Sequence, residues 1–325
     1  MEPLSRDELG SVLATISEEL EAVEEIIRGT SAAAASFLTE SATYLTRAGG
    51  KRLRPALAIF CAASVGAANE SVLRTAAAIE MTHLATLYHD DVIDEADTRR
   101  GVPSANDRWG NKVAILAGDY LFARASHIAA EVGGEVPGVL ADAIAQVVTG
   151  QVTELRSTYD AKRSFEAYIE TIDGKTASLI DASARLGATL GGGSLEQIAS
   201  LRRFGRAFGF AFQVADDLLD LAATAEALGK PPGTDLREGV YTLPVIFAAE
   251  AEPELYSLLG TPEVDVDEVR SIVITSGGFE RARATAVGYE EDALRALAEL
   301  PAGEARSTLE KIARLVVDRV PGAYE

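Results

Sequence analysis

The sequence predicts an all-α fold, and three observations carry that expectation. Apolar residues recur three and four positions apart over long stretches, the spacing of one helix face. Alanine, which loses no side-chain entropy on entering a helix, is abundant throughout. No segment shows the sustained apolar–polar alternation of a half-buried strand. At ordinary helix lengths of about 11–12 residues, the chain accommodates ten or more helices.

The elements can be justified in chain order. Over 11–28, Val12, Ile16, Leu20, Val23 and Ile27 form one stripe with glutamates on the opposite face, which predicts a single helix. Segment 139–156 repeats the pattern through Ile144, Val147, Val148, Val152 and Leu155. Gly191 to Gly193 read as a helix stop, and Thr261-Pro262 reads as an N-cap followed by proline at the first helical position. Leu309, Ile312, Val316 and Val320 mark a last helix. Breaks at 101–104, 133–138, 229–233 and 277–278 are too short for linkers, so residues 1–325 are expected to form one domain.

Composition narrows the function classes. With 50 acidic residues against 30 basic ones, the net charge is −20, which argues against a general nucleic-acid binder or an anionic-membrane-surface protein. A single cysteine, Cys61, excludes an internal disulfide and any cysteine-based zinc site, pointing to a reducing compartment. The acidic start MEPLSRDELG does not read as a signal peptide. The uncharged run from Ala56 to Ala68 falls short of the roughly 20 residues a membrane span needs. A cytoplasmic protein without a membrane span is expected.

The strongest chemical signal is Asp90-Asp91-Val92-Ile93-Asp94. On a helix Asp90 and Asp94 lie about 40° apart, so their carboxylates share a face with Asp91 beside them. Such a cluster repels itself unless something compensates, and a hard divalent cation such as magnesium would. A solvated acidic turn explains one pentad equally well. The pentad recurs, however, as Asp216-Asp217-Leu218-Leu219-Asp220 inside the apolar frame FGFAFQVADDLLDLAA. Burying it without a cation would carry a large desolvation cost. Two such clusters facing a helical cavity could hold magnesium around a diphosphate. Lys51, Arg52 and Arg54 stand beside Gly49-Gly50, and Arg99-Arg100 follow the first pentad, offering donors suited to phosphate oxygens. Gly174-Lys175-Thr176 lacks the remaining glycine and the preceding strand of a P-loop.

These residues resemble the trans-isoprenyl diphosphate synthases, the polyprenyl synthetase family, over nearly the whole chain, most like its long-chain members. The matching segments are GGKRLRP at 49–55, HLATLYHDDVIDEADTRRG at 83–101, AGDYLFARA at 117–125, GKTASLI at 174–180, FQVADDLLD at 212–220 and GKPPGTDLREGVYTLP at 229–244. The resemblance implies helices around a central substrate cavity (the isoprenoid synthase fold), one polyprenyl synthetase domain and a homodimer. It implies magnesium, three ions with substrate bound, held by Asp90, Asp91, Asp94, Asp216, Asp217 and Asp220, with direct ligation by Asp91 the least firm. It assigns Lys51, Arg54, His83 and Arg100 to isopentenyl diphosphate, and Arg99, Lys175, Thr176, Gln213 and Lys230 to an allylic diphosphate. His89 is given no ligand contact. Trp109 and the series Phe204, Phe208, Phe210 and Phe212 read as core.

The implied reaction is head-to-tail condensation. Asp90, Asp94, Arg99, Lys175, Asp216 and Lys230 would serve cleavage of the allylic carbon–oxygen bond, after which the isopentenyl double bond attacks and released diphosphate takes the proton. Helical geometry places Thr86 and Ala85, then Thr82, then Ala78 along the wall beneath the first pentad. All are small, and because a small residue around 85 or 86 resembles the family's long-chain members and a bulky aromatic its short-chain ones, the resemblance implies a product longer than twenty carbons. The alternatives are close helix packing at those positions, with Met81 or Phe122 closing the tunnel, and a short-chain farnesyl or geranylgeranyl diphosphate synthase. A terpene cyclase would not need the second anion site. A non-catalytic prenyl-diphosphate-binding subunit would not need both pentads intact.

Overall fold

In the computed structural model, which describes residues 6–32, 36–222 and 233–320, the stripe over 11–28 folds as two helices rather than one. These are α1 (Arg6–Ala14) and α2 (Ser17–Ser31). The Thr15 hydroxyl and amide both donate to the Val12 carbonyl, at 2.7 and 3.2 Å, a tight turn that interrupts the helical ladder.

Next come α3 (Ser36–Arg47), α4 (Leu53–Val65) and α5 (Glu70–Ile93). The Asn69 side chain caps α5 by accepting from the Val72 amide at 3.1 Å. A two-residue hairpin follows, β1 (Thr98–Arg99) antiparallel to β2 (Val102–Pro103). It was not anticipated, because two-residue strands leave no alternation to detect. Its turn holds Arg100 and Gly101 at φ 55° and 77°, the left-handed pair that such tight hairpins require.

The remaining helices are α6 (Ala105–Trp109), α7 (Asn111–Val132), α8 (Val136–Arg156), α9 (Phe165–Ile172), α10 (Ser178–Leu190) and α11 (Leu195–Ala222). They continue with α12 (Thr234–Arg237), α13 (Leu243–Ala251), α14 (Val266–Thr275), α15 (Gly278–Ala298) and α16 (Glu304–Asp318). The expected all-α bundle of ten or more helices is therefore what forms. α10 stops at Leu190, before Gly191 to Gly193 as read. α14 does not start at Thr261-Pro262, which forms a turn; Asp265 caps it instead, accepting from the Glu268 amide at 3.0 Å.

α5 packs along α7, α10 on α4, and α11 against both α10 and α15. Gly187 lets α10 press against α4, where a β-carbon would run into the Ala58 carbonyl. The stripe on α8 is only half core. Ala143, Val147 and Gly150 face inward, whereas Val148, Val152 and Leu155 are about half exposed. Among the aromatics, Phe204 and Phe208 are fully buried, while Phe212 is half-buried and walls a cavity. Among the described residues no helix is long and apolar enough to cross a membrane.

Candidate active site

The first pentad sits where α5 ends. Asp90 and Asp91 belong to its last turn, and Asp94 is the C-cap, its amide donating to the Asp90 carbonyl at 2.8 Å. Asp91 is fully buried, and its Oδ1 accepts from Arg99 Nε at 2.6 Å. This carboxylate therefore lies under the hairpin and fixes Arg99. Burial raises Asp90 to about 6, with Asp94 adding to the rise while Lys175 and Arg99 oppose it. Burial raises Asp94 as well, against the pull of Lys175.

Lys175 and Thr176 stand on a π-helical turn, Asp173–Ala177, between α9 and α10. That turn lies against α8 at a Gly150–Gly174 contact, where a β-carbon on either would strike backbone. One turn beyond Gly150, Glu154 ion-pairs with Lys175. Burial alone would depress the Lys175 ammonium, but Glu154, Asp90 and Asp94 outweigh it and the pKa rises.

The second pentad occupies the last two turns of α11. Asp217 is buried, and its Oδ2 accepts from Tyr168 Oη at 2.6 Å, its Oδ1 from Gln213 Nε2 at 2.8 Å. Gln213 Oε1 in turn accepts from Thr176 Oγ1 at 2.7 Å. Burial lifts Asp217 to about 7 although both hydrogen bonds pull the other way. Asp220 is buried too, accepting from the Asp235 amide at 3.2 Å, and Asp216 pairs with Arg319 beyond the end of α16.

Two cavities result. One of ≈ 470 Å³ gathers Asp94, Arg99, Lys175, Thr176, Gln213 and Asp217, with Glu154, Arg163 and Tyr168 also on its wall. The other, ≈ 320 Å³, brings together Lys51, Arg54, His83 and Arg100, walled also by Glu80 and Phe212. Burial, then Arg54, Arg100, Arg52 and Arg99, push His83 well below its ordinary pKa, so its imidazole is neutral there. Arg52 also borders this cavity, but its guanidinium is ion-paired with Glu24 and with Glu80 (3.0 Å). The hairpin joins the cavities: Arg99 borders the first and Arg100 the second. Lys230 lies outside the described residues.

Sequence reasoning missed Glu154, Arg163, Tyr168 and Glu80. For Glu154 a signal existed: Ala143, Val147, Gly150 and Glu154 mark the face of α8 that turns inward. Of the proposed wall, Ala78, Thr82 and Ala85 are fully buried, and Thr86 is half-buried with its hydroxyl on the His83 carbonyl at 2.7 Å. Gly118 of α7 lies against the Ala85 carbonyl and His89, so α5 and α7 meet closely there. His89 is directed to α7, with Nε2 3.1 Å from the Ile115 carbonyl.

Among the described residues, no three acidic, histidine or cysteine side chains stand close enough to hold a metal alone. The donors are nevertheless all hard carboxylate oxygens, and the raised Asp90 and Asp217 lack full compensation. That set fits magnesium, which takes one or two carboxylates and completes its shell with water and substrate phosphate.

The Polyprenyl synthetase family model matches residues 35–275. A nonaprenyl diphosphate synthase of Mycobacterium tuberculosis is 43% identical over 306 residues, covering 91% of this chain and 91% of that one. Among solved structures, a polyprenyl synthase from Caulobacter crescentus CB15, complexed with calcium and isoprenyl diphosphate, superposes with TM-score 0.92 at 34% identity, covering 99% of this chain and 100% of that one. A geranylgeranyl pyrophosphate synthase from Corynebacterium glutamicum, likewise complexed with calcium and isoprenyl diphosphate, gives TM-score 0.84 at 37% identity, covering 96% and 98%.

Proposed function

The chain belongs to the polyprenyl synthetase family and is a prenyltransferase, and we propose that it condenses isopentenyl diphosphate head-to-tail with an allylic diphosphate in a magnesium-dependent reaction. One observation carries this reading: two cation-bearing cavities meet at a single hairpin, with Arg99 in one and Arg100 in the other. A reaction joining two diphosphates needs two anion sites at a fixed separation.

In this reading Asp90, Asp91, Asp94, Asp216, Asp217 and Asp220 would hold the cation, with Asp91 and Asp217 most engaged by protein partners. Bound magnesium would neutralise charge building on the departing diphosphate. Arg99, Lys175, Thr176, Gln213 and Lys230 orient the allylic diphosphate, and Lys175 leaves Glu154 to donate to it. Lys51, Arg54, His83 and Arg100 hold isopentenyl diphosphate, with neutral His83 donating from one ring nitrogen. The enclosing walls keep water from the allylic cation.

Small side chains at Ala78, Thr82, Ala85 and Thr86 support a product longer than twenty carbons, from a farnesyl or geranylgeranyl primer. Exposed Ile115 and Leu116 of α7, with Val148, Val152 and Leu155 of α8, support a homodimer in which a second copy covers them. The lone buried cysteine suits a reducing cytoplasm.

Purified protein incubated with magnesium, isopentenyl diphosphate and a set of allylic primers tests this directly. Product masses above twenty carbons are expected. Masses stopping at fifteen or twenty would make it a short-chain synthase, and no isopentenyl consumption would overturn the reading.

A further inference from the structure

We propose that Tyr168 is a positioning residue for the allylic-diphosphate side of the site, acting through Asp217 on Gln213. The inference rests on the assignment of Gln213 and Thr176 to that diphosphate.

The geometry is a relay of side chains from separate elements. Tyr168, on α9, is 1% exposed, and its hydroxyl donates to Asp217 Oδ2 at 2.6 Å. The other carboxylate oxygen accepts from Gln213 Nε2 at 2.8 Å, and Gln213 Oε1 accepts from Thr176 Oγ1 at 2.7 Å. All four residues border the ≈ 470 Å³ cavity. A primary amide has a donor end and an acceptor end that exchange on rotation, so its partners decide which way it points. Here Asp217 takes one N–H and Thr176 occupies the oxygen. The second Gln213 N–H is left with a defined direction for a substrate oxygen.

Asp217 can fix the amide only if its own carboxylate cannot turn, and Tyr168 supplies that restraint. Tyr168 is braced from behind. The Arg163 guanidinium carbon lies 5.7 Å from the centre of its ring, and Arg163 donates to Thr171 Oγ1 at 2.7 Å and to the Tyr241 carbonyl at 3.2 Å. Arg163 is itself 5% exposed, so the brace is buried. Nothing in this relay reaches the isopentenyl-diphosphate cavity, which is walled by other residues. The effect should therefore fall on one substrate only.

Tyr168→Phe keeps the ring and removes the hydroxyl. Its KM for the allylic diphosphate should rise about tenfold or more, the range for a lost hydrogen bond to a charged group, while KM for isopentenyl diphosphate stays within about twofold. Calorimetric binding of farnesyl thiodiphosphate, an unreactive analogue, should weaken by the same factor. Arg163→Lys should move the allylic KM the same way by about two- to fivefold, and it carries the test if Tyr168→Phe does not fold. Gln213→Ala calibrates the site. If it raises the allylic KM and Tyr168→Phe does not, the positioning role is wrong. Equal rises in both KM values with a lowered melting temperature would show Tyr168 to be a core tyrosine only. If Gln213→Ala leaves the allylic KM unchanged, the site assignment fails and the inference falls with it.

Discussion

Asp90-Asp91-Val92-Ile93-Asp94 closes a helix, whereas Asp216-Asp217-Leu218-Leu219-Asp220 lies inside one. The same spacing is thus held in two ways. At the first pentad the partners are charged: Arg99 pairs with Asp91, and Lys175 faces Asp90 and Asp94 while tied to Glu154. At the second, among the described residues, Asp217 accepts from a hydroxyl and an amide with Arg163 acting on it from further off, Asp220 accepts from a backbone amide, and Asp216 pairs with Arg319. Cations can be exchanged for a metal or shared with a substrate, so the first pentad is built to rearrange. Neutral donors on buried carboxylates are built to stay. Identical spacing fixes which carboxylates share a face and leaves their charge state to the surroundings.

The comparison breaks most visibly by deletion. Asp90→Ala and Asp216→Ala should each lower magnesium-dependent turnover by about 10³-fold or more, since each removes preorganised charge from the reacting centre. Near-normal steady-state turnover in either would take that pentad out of the mechanism.

A smaller loss, about 10²-fold in kcat, is expected for Lys175→Gln. Removing its partner through Glu154→Gln should cost less, because Lys175 then keeps its substrate contact. If Glu154→Gln proves the more damaging, Glu154 does more than hold the lysine.

The pH dependence separates the pentads by charge state. Asp90 at about 6 and Asp217 at about 7 hold protons more tightly folded than unfolded, where carboxyls titrate near 4. Their stabilising contribution is fully present below about pH 4 and is lost as pH rises through 6 to 7. Calorimetry in chelator should show this as a melting temperature falling between about pH 4 and 7 and levelling above. Asp217→Asn should flatten the slope more than Asp90→Asn, and magnesium with diphosphate should oppose it. A slope unchanged in both variants would assign it elsewhere.

Ala85→Phe should touch turnover least and product mass most. Products should shorten if Ala85 lines the growing chain. Unchanged length would leave Ala85 as a helix-packing residue under Gly118 and move the limit elsewhere, to Met81, buried one turn earlier on α5 itself, or to Phe122 of α7, whose ring lies 5.6 Å from that of His89.

Much of the site was legible because its chemistry is local. The pentads, the GGKRLRP loop and Arg99-Arg100 announce themselves by spacing, and the two cavities gather the cations of the loop and the hairpin, with Asp94 and Asp217 alone from the pentads. Arg52 shows the limit of that reading. It is as basic as its neighbours, yet Glu24 and Glu80 hold it in the protein. Glu154 and Tyr168 each look like ordinary residues of an amphipathic helix, and only their contacts with Lys175 and Asp217 distinguish them.

The sequence by itself determined that the chain would be helical and where acid and base would cluster, because periodicity and spacing act within a few residues along one helix. It did not determine which side of α8 would face inward, where α1 would break from α2, or which aspartate of each pentad would be buried. Those outcomes depend on neighbours remote in sequence, such as Tyr168 against Asp217 and Glu154 against Lys175. The free energy of a buried carboxylate is set by the partners that replace its water, and only the packed fold supplies those partners.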